Sequence, residues 1–271
     1  MNNAIFEYGD ILGELKKKRP LIHHITNYVT VNDCANISLA IGASPIMADA
    51  IEEVEAIVSI SSALVLNIGT LNCRTVESMI AAGKKANQLN IPVIFDPVGA
   101  GASEFRNETT RRILQEVNVS VLRGNISEIR FIAGLSSNTK GVDAAEIDTS
   151  DNAIKIAIDL AKKQNCIVAI TGVTDVVSNG SNTVTIKNGH QSMSNITGTG
   201  CMCTSLVGSF CAAAPEKMLY GTVAAILCMG IAGEIAYHIA GELGNSSLRL
   251  AIIDAISRMD SNTIREKGVV V

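Results

Sequence analysis

The run Ile196-Thr197-Gly198-Thr199-Gly200-Cys201 leads into an apolar, small-residue stretch, Met202 to Gly208, and the junction reads as a glycine turn opening a helix. Gly198 and Gly200 can take backbone angles closed to other residues. That frees the amides of Thr199, Gly200 and Cys201 to converge on an anion at the positive end of a helix dipole. Phosphate is the natural ligand of such a cup. An isolated Gly-x-Gly before a helix also serves plain close packing, so the cup calls for partners elsewhere in the chain. A Walker loop is excluded, because no Gly-Lys-Ser/Thr follows a four-residue gap. The dinucleotide fingerprint is excluded because Cys203 stands where it has a third small residue.

Four polar groups stand at the ends of apolar runs: Asn27, Asp96, the set Arg123-x-Asn125-x-x-Glu128, and Thr171-Gly172. Phosphoryl transfer uses this inventory. It needs a cation for the phosphates, carboxylates that hold magnesium directly or through water, amides for the transferring group, and a pocket for the accepting hydroxyl. Each residue also has a plain reading. Asp96 before Pro97 shapes a turn, Glu128 offsets a helix dipole, and Arg123 is a surface charge. The chemical reading rests on their common address, since strand ends in a parallel sheet face one edge.

The elements that must position them alternate in type. Tyr8 to Lys18 has helical spacing and a basic end, and Pro20 stops it. Leu21 to Ile25 is a short strand followed by the loop Thr26-Asn27-Tyr28, and Thr30 to Ile41 is helical. Gly42 to Met47 returns to the sheet. Ala63 to Ile68, Ile91 to Phe95, Val119 to Leu122 and Cys166 to Ile170 are strands. Thr75 to Gln88, Asn107 to Glu116 and Asp151 to Gln164 are helices between them. This alternation is the parallel βαβ pattern. Asn125 can cap a helix that carries Glu128 in its first turn. Gly134 to Thr149 is a polar loop. Val176-Val177-Ser178 and Thr183 to Ile186, around Asn179-Gly180-Ser181, make an antiparallel hairpin at the sheet edge. Three helical stretches follow the cup, ending in Ser247 to Met259 and a frayed tail. No linker or repeat divides the chain, so one domain is expected over residues 1–271.

Composition narrows the partners. With 271 residues, 47% of them hydrophobic, the chain can bury a large core. A formal net charge of -4, an aromatic content of 3% and no Trp leave nucleic acid without a footprint. Seven scattered cysteines form no disulfide framework, and Met1-Asn2-Asn3-Ala4 does not open a leader, which points to the cytoplasm. Cys201-x-Cys203 lacks the two further ligands of a zinc site. Met218 to Ala240 has the length and apolarity of a membrane span, but Tyr220, Glu234, Tyr237 and His238 interrupt it and no basic anchors flank it. A helix apolar nearly all round is a buried one.

Asn125-Ile126-Ser127-Glu128 matches the Asn-x-x-Glu motif of ribokinase-like kinases, and Gly198-Thr199-Gly200 matches the Gly-Thr-Gly before their catalytic acid. Cys201 stands where most relatives have Asp. With His24-x-x-Asn27-x-Val29, Asp96-Pro97-Val98-Gly99 and Arg123-Gly124-Asn125 in order, the chain resembles the hydroxyethylthiazole kinases from about Leu21 to its C-terminal helices. The resemblance implies a three-layer α/β fold with a mostly parallel central sheet flanked by helices. It implies ATP-dependent phosphorylation of the primary alcohol of 4-methyl-5-(2-hydroxyethyl)thiazole, on a homotrimer with sites at subunit junctions. By match of motif, Arg123 and Thr171 contact ATP, with Asn125 beside them and Thr199 and Gly200 in the phosphate cup. Met47 and Gly198 contact the thiazole, with Asn27 nearby. Asp96 and Glu128 organise magnesium.

Cys201 takes the catalytic position, with a small pocket wall as its other reading. A loose transition state demands little of a general base, so a thiol can serve, and a helix N-terminus is expected to lower its pKa from about 8.5. Two rivals stay open at this stage. His23 or His24 paired with Cys201 would make a thiol hydrolase, and an inert site would make a nucleotide sensor.

Overall fold

A computed structural model describes residues 2–135 and 150–271. The first half alternates helix and strand: α1 (Asn2–Lys18), β1 (Leu21–Ile25), α2 (Val31–Ile41), β2 (Ser44–Met47), α3 (Val54–Ser59), β3 (Ala63–Asn67), α4 (Cys73–Gln88), β4 (Val93–Asp96), α5 (Glu104–Glu116), β5 (Val121–Asn125) and α6 (Ile126–Ala133). The second half holds α7 (Ser150–Gln164), β6 (Ile167–Thr171), β7 (Asp175–Ser178), β8 (Thr183–Ile186), α8 (Thr199–Ala213), α9 (Met218–Ala240), α10 (Asn245–Ser257) and α11 (Ser261–Lys267).

The strands form one sheet in the order β2-β1-β3-β4-β5-β6-β7-β8. From β2 through β6 all pairings are parallel, and β7 and β8 add antiparallel, which is the expected edge hairpin. Side chains alternate across the sheet with period two. On β3, Leu64 and Leu66 face a core built with α3 to α7, while Ala63 and Val65 face one built with α1, α2 and α8 to α10. Hydrophobic strands buried on both faces are what a helix-covered parallel sheet requires. The apolar stretch Pro215–Ala240 is long enough to cross a membrane, yet 72% of its most apolar window is buried in the protein, where α9 packs on α8 and α10.

Topology makes the functional crevice. The chain leaves β1 to form β2 on one side and returns to form β3 on the other. Loops after β1 and β3 therefore diverge, opening a cleft at the C-terminal ends of the strands.

Two expectations need correction. The tail is not frayed: Asp260 accepts from Thr263 N at 2.7 Å to start α11, and Ile264 is buried. Val270 then pairs antiparallel with Ile186, with Lys187 N donating to Val269 O at 3.0 Å, so the tail partly covers the open edge of β8. The short helix α3, of six residues, was not anticipated, because one and a half turns carry too little periodicity to read. Beyond Leu135, the polar loop expected to run to Thr149 lies outside the described residues.

Candidate active site

The glycine turn forms as expected. Gly198 has φ 91, the left-handed region, and a Cβ there would stand 2.5 Å from Thr30 Cγ2. No other residue fits without strain. Met202 N donates to Gly198 O at 2.8 Å, so the N–H groups of Thr199, Gly200 and Cys201 precede the first helical bond of α8. Gly198 caps the helix without a side chain. Beneath the turn, a Cβ on Gly200 would lie 2.7 Å from Arg123 Nη1. Glycine thus lets the guanidinium of β5 approach the cup.

The sheet edge and the start of α8 bring five of the anticipated residues into one cluster of hydrogen bonds and an ion pair. Asn27, after β1, donates through Nδ2 to Cys201 Sγ at 3.3 Å and to Asn67 Oδ1 at 2.9 Å. Asp96, ending β4, lies 3.7 Å from Arg123 Nη1, and Arg123 Nη2 donates to Thr171 Oγ1 at the end of β6. Asp96 Oδ2 also accepts from Asn67 Nδ2 at 2.9 Å and from Thr204 Oγ1 at 2.7 Å.

Glu128 and Asn125 join through the backbone. They form a capping box on α6, in which Asn125 Oδ1 accepts from Glu128 N and Asn125 N donates to Glu128 Oε2 at 2.8 Å. Glu128 Oε1 accepts from Gly99 N at 2.8 Å, which ties the Asp96-Pro97-Val98-Gly99 loop to the first turn of α6. Thr199 Oγ1 turns away to Met193 O at 3.4 Å, so Thr199 offers the cup its backbone. Met47 stands outside this network, half-buried at the end of edge strand β2 and in register with His24.

Four neighbours escaped the sequence reading. Asn67 is the one polar residue in the run Ala63 to Ile68, and that polarity was the available signal. Thr204 lies one helical turn after Gly200, a phase that could have been counted. Arg106 pins the loops after β3 and β4 through Gly69 O at 2.8 Å and Val98 O at 2.7 Å. Asp175 accepts from Gly172 N at 2.9 Å, and nothing in the sequence marked that turn.

Electrostatics overturn one expectation. Burial, and then the charge of Asp96, raise the pKa of Cys201, and the hydrogen bonds from Thr30, Asn27 and Asn67 only partly offset this. Desolvation leads because a thiolate taken out of water loses the hydration of its whole charge. Burial likewise raises Asp96 to about 6, opposed by Arg123 and reinforced by Glu128. Burial works against charge on Arg123 too, but the carboxylates of Asp96 and Glu128 raise its pKa, so it stays a cation.

The histidines do not serve the thiol. His23 Nε2 donates to Ala48 O at 2.7 Å and His24 Nδ1 to Ile22 O at 3.1 Å, and burial lowers both, His24 to about 4. Each keeps its second ring nitrogen buried without a partner, and Cys201 Sγ is met by Asn27 and Asn67 rather than by an imidazole, so the His–Cys contact that a thiol hydrolase needs is not formed.

A hard cation fits this donor set. Asp96 Oδ1 is buried without a partner, and a carboxylate oxygen in that state suits magnesium or a water bound to it. Among the described residues no group of three or more His, Cys, Asp or Glu side chains forms a cage. Magnesium characteristically completes its shell with water and substrate phosphates instead.

Comparison with known proteins agrees with the geometry. A model of the Hydroxyethylthiazole kinase family matches residues 12–262. The chain is 61% identical over 270 residues to hydroxyethylthiazole kinase of Clostridium beijerinckii, covering 98% of each chain. The solved hydroxyethylthiazole kinase of Pyrococcus horikoshii superposes with a TM-score of 0.89 at 38% identity, covering 98% of each chain. Bacillus subtilis pyridoxal kinase, solved as an ADP complex, has a TM-score of 0.62 at 15% identity over 78% of this chain and 90% of its own, a likeness of fold alone. The ribokinase-like arrangement implied by the motifs is the one adopted. By its family match and its close, full-length relatives, the chain belongs to the hydroxyethylthiazole kinase family.

Proposed function

We propose that this site transfers the terminal phosphoryl group of ATP to the primary alcohol of 4-methyl-5-(2-hydroxyethyl)thiazole, in thiamine salvage in the cytoplasm. Family membership supports the reaction. The observation that carries the residue roles is the continuous network from Asn27 through Cys201, Asn67 and Asp96 to Arg123 and Thr171. Arg123 and Thr171, with Asn125 beside them, hold the ATP phosphates, and the amides of Thr199 and Gly200 receive the transferring group. Asp96 and Glu128 would hold magnesium, Asp96 offering its unpartnered Oδ1 and Glu128 a carboxylate fixed in place by two backbone amides. When bound, magnesium supplies charge neutralisation across the phosphates. A coupled ADP-release assay across thiazole, hydroxymethylpyrimidine and sugar alcohols tests the assignment. Turnover confined to a sugar alcohol would overturn it.

In the reaction the alcohol oxygen forms a bond to the γ-phosphorus as the bond to the bridging oxygen breaks, and ADP leaves. The alcohol proton passes to Cys201 in its thiolate form. With its pKa raised, that form is a minority at neutral pH, so Cys201 is a modest base. Three results follow. Wild-type kcat should rise with pH through the neutral range as the thiolate accumulates. Cys201→Ala should lower kcat about tenfold to a hundredfold, because positioning and charge stabilisation survive. Cys201→Asp should match or exceed the wild type, since the two asparagine N–H donors suit a carboxylate, and its pH dependence should flatten. Steady-state kcat at saturating ATP and alcohol decides, and an unchanged Cys201→Ala would reduce Cys201 to a pocket wall.

Met47 and Gly198 line the thiazole, with Asn27 at the hydroxyl end. The site lies at a junction of a homotrimer. Supporting this, β2 ends the sheet with an unpaired edge, and Tyr28 and Val29 beside Asn27 are 79% and 58% exposed. Met47 is unbranched and polarisable, suited to a sulfur-containing ring. Met47→Ala should raise the KM for the alcohol about tenfold with little change for ATP. A change confined to ATP would remove Met47 from the substrate site, and a monomer by light scattering would remove the junction.

A further inference from the structure

We propose that Asn67 is a positioning residue for phosphoryl transfer, holding the Cys201 sulfur and the Asp96 carboxylate in fixed relation through the two N–H groups of one carboxamide. The inference rests on the roles given to Cys201 and Asp96 above and adds the group that joins them. Asn67 ends β3, is 1% exposed, and uses all of its hydrogen-bonding capacity inside the protein. Its Oδ1 accepts from Gly69 N at 2.9 Å and from Asn27 Nδ2 at 2.9 Å. Its Nδ2 donates to Asp96 Oδ2 at 2.9 Å and to Cys201 Sγ at 3.3 Å.

This arrangement has a single polarity. Rotating the amide by half a turn would set its oxygen against the Asp96 carboxylate and its NH2 against two N–H donors. Backbone Gly69 therefore fixes which end of Asn67 faces the chemistry. Asn27 is fixed in the same way, since Thr30 N and Thr30 Oγ1 both donate to its Oδ1 at 3.0 Å. Two N–H groups thus converge on one sulfur from oriented amides, and they cast Cys201 as the acceptor. The Asn67 N–H on Asp96 ties that acceptor to the carboxylate on the phosphate side. Asn67 carries no charge and gains no proton in the reaction. Its part is to set where the hydroxyl's acceptor stands relative to the phosphate, a distance on which in-line transfer depends.

Substitutions that differ in polarity rather than size separate this from simple packing. Asn67→Asp keeps the shape and the acceptor for Gly69 N and Asn27, but turns an oxygen toward Asp96 Oδ2 and Cys201 Sγ. Asn67→Ala empties the position and lets water enter. A positioning donor predicts kcat in the order wild type, Ala, Asp, with Asn67→Ala reduced about tenfold to a hundredfold and both KM values within about threefold. A space-filling residue predicts the reverse, Ala worse than its near-isostere. In a double-mutant cycle, adding Asn67→Ala to Cys201→Ala should lower kcat by less than it does alone, whereas full multiplication would overturn the link to the sulfur.

A readout without substrate keeps this inference separate from the assigned reaction. Peptide-resolved alkylation of Cys201 by iodoacetamide, at one mildly alkaline pH, should be several-fold slower in Asn67→Asp than in the wild type. Equal rates would overturn the proposal even in a fully active kinase. A slowed rate in a chain without turnover on the thiazole alcohol would retain the polar link and remove the assigned reaction. Thermal melts of each variant identify a loss of kcat that only follows a loss of folded protein, and that result also counts against the proposal.

Discussion

Asp96→Asn should lower kcat by about a thousandfold, roughly 4 kcal/mol of transition-state stabilisation, in a protein that stays folded. The size follows from how an amide must sit. Oδ2 of Asp96 accepts from Asn67 and Thr204 and lies 3.7 Å from Arg123, so the asparagine oxygen stays on that side. Its NH2 then takes the place of Oδ1, the buried oxygen without a partner, and presents hydrogens where a cation or its water needs an acceptor. The substitution keeps volume and three of the contacts while reversing the polarity of the one atom that matters. Turnover as a function of magnesium, with a thermal melt beside it, is the measurement. A folded variant with wild-type turnover would move magnesium away from Asp96.

Arg123→Met should lower kcat about a hundredfold to a thousandfold and raise the KM for ATP, leaving the KM for the alcohol nearly unchanged. Arg123 is a largely enclosed cation with Nη1 3.7 Å from Asp96, Nη2 on the Thr171 hydroxyl, and Nε buried without a partner. One carboxylate beside a guanidinium whose hydrogen bonds are incomplete leaves room for a second anion, and the cup of α8 lies directly over it. Methionine retains the stem's packing and removes the fork. Arg123→Lys should recover only part of the loss, since an ammonium cannot bond in two directions in one plane. Initial rates with ATP varied at saturating alcohol test this, and an unchanged KM for ATP together with an unchanged kcat would take Arg123 out of the nucleotide site.

Much of this site was legible because parallel sheets concentrate polar residues at one edge. Asn27, Asp96, Arg123 and Thr171 each follow an apolar run; Asn27 follows a strand, Asp96 and Thr171 end one, and Arg123 lies inside β5, which runs on to Asn125. Glu128 was legible for another reason: Asn125 three residues before it spells a helix cap, which fixes both positions at once. What escaped was information that lives across strands. Asn67 stands between Leu66 and Ile68 in a run that reads as buried strand, and only the pairing of β3 with β1 and β4 sets it between Asn27 and Asp96. Arg106 sits in a helix whose sequence reads as solvated, and its three carbonyl partners come from loops. The direction of the Cys201 shift also required the fold. A helix dipole can be inferred from a turn and a helix, but desolvation depends on what packs around the sulfur.

The double engagement of Glu128 carries a consequence for the energetics of turnover. A free glutamate side chain samples many rotamers, and confining it on ligand binding costs about 1 kcal/mol. Here Gly99 N and Asn125 N hold both oxygens, and the helix cap holds the backbone, all through bonds within the chain itself. The ordering entropy of this carboxylate is thus settled when the chain folds. In the role proposed for Glu128 that cost would not recur each time ATP enters, so affinity for nucleotide would not be diluted by a side chain that must first be caught.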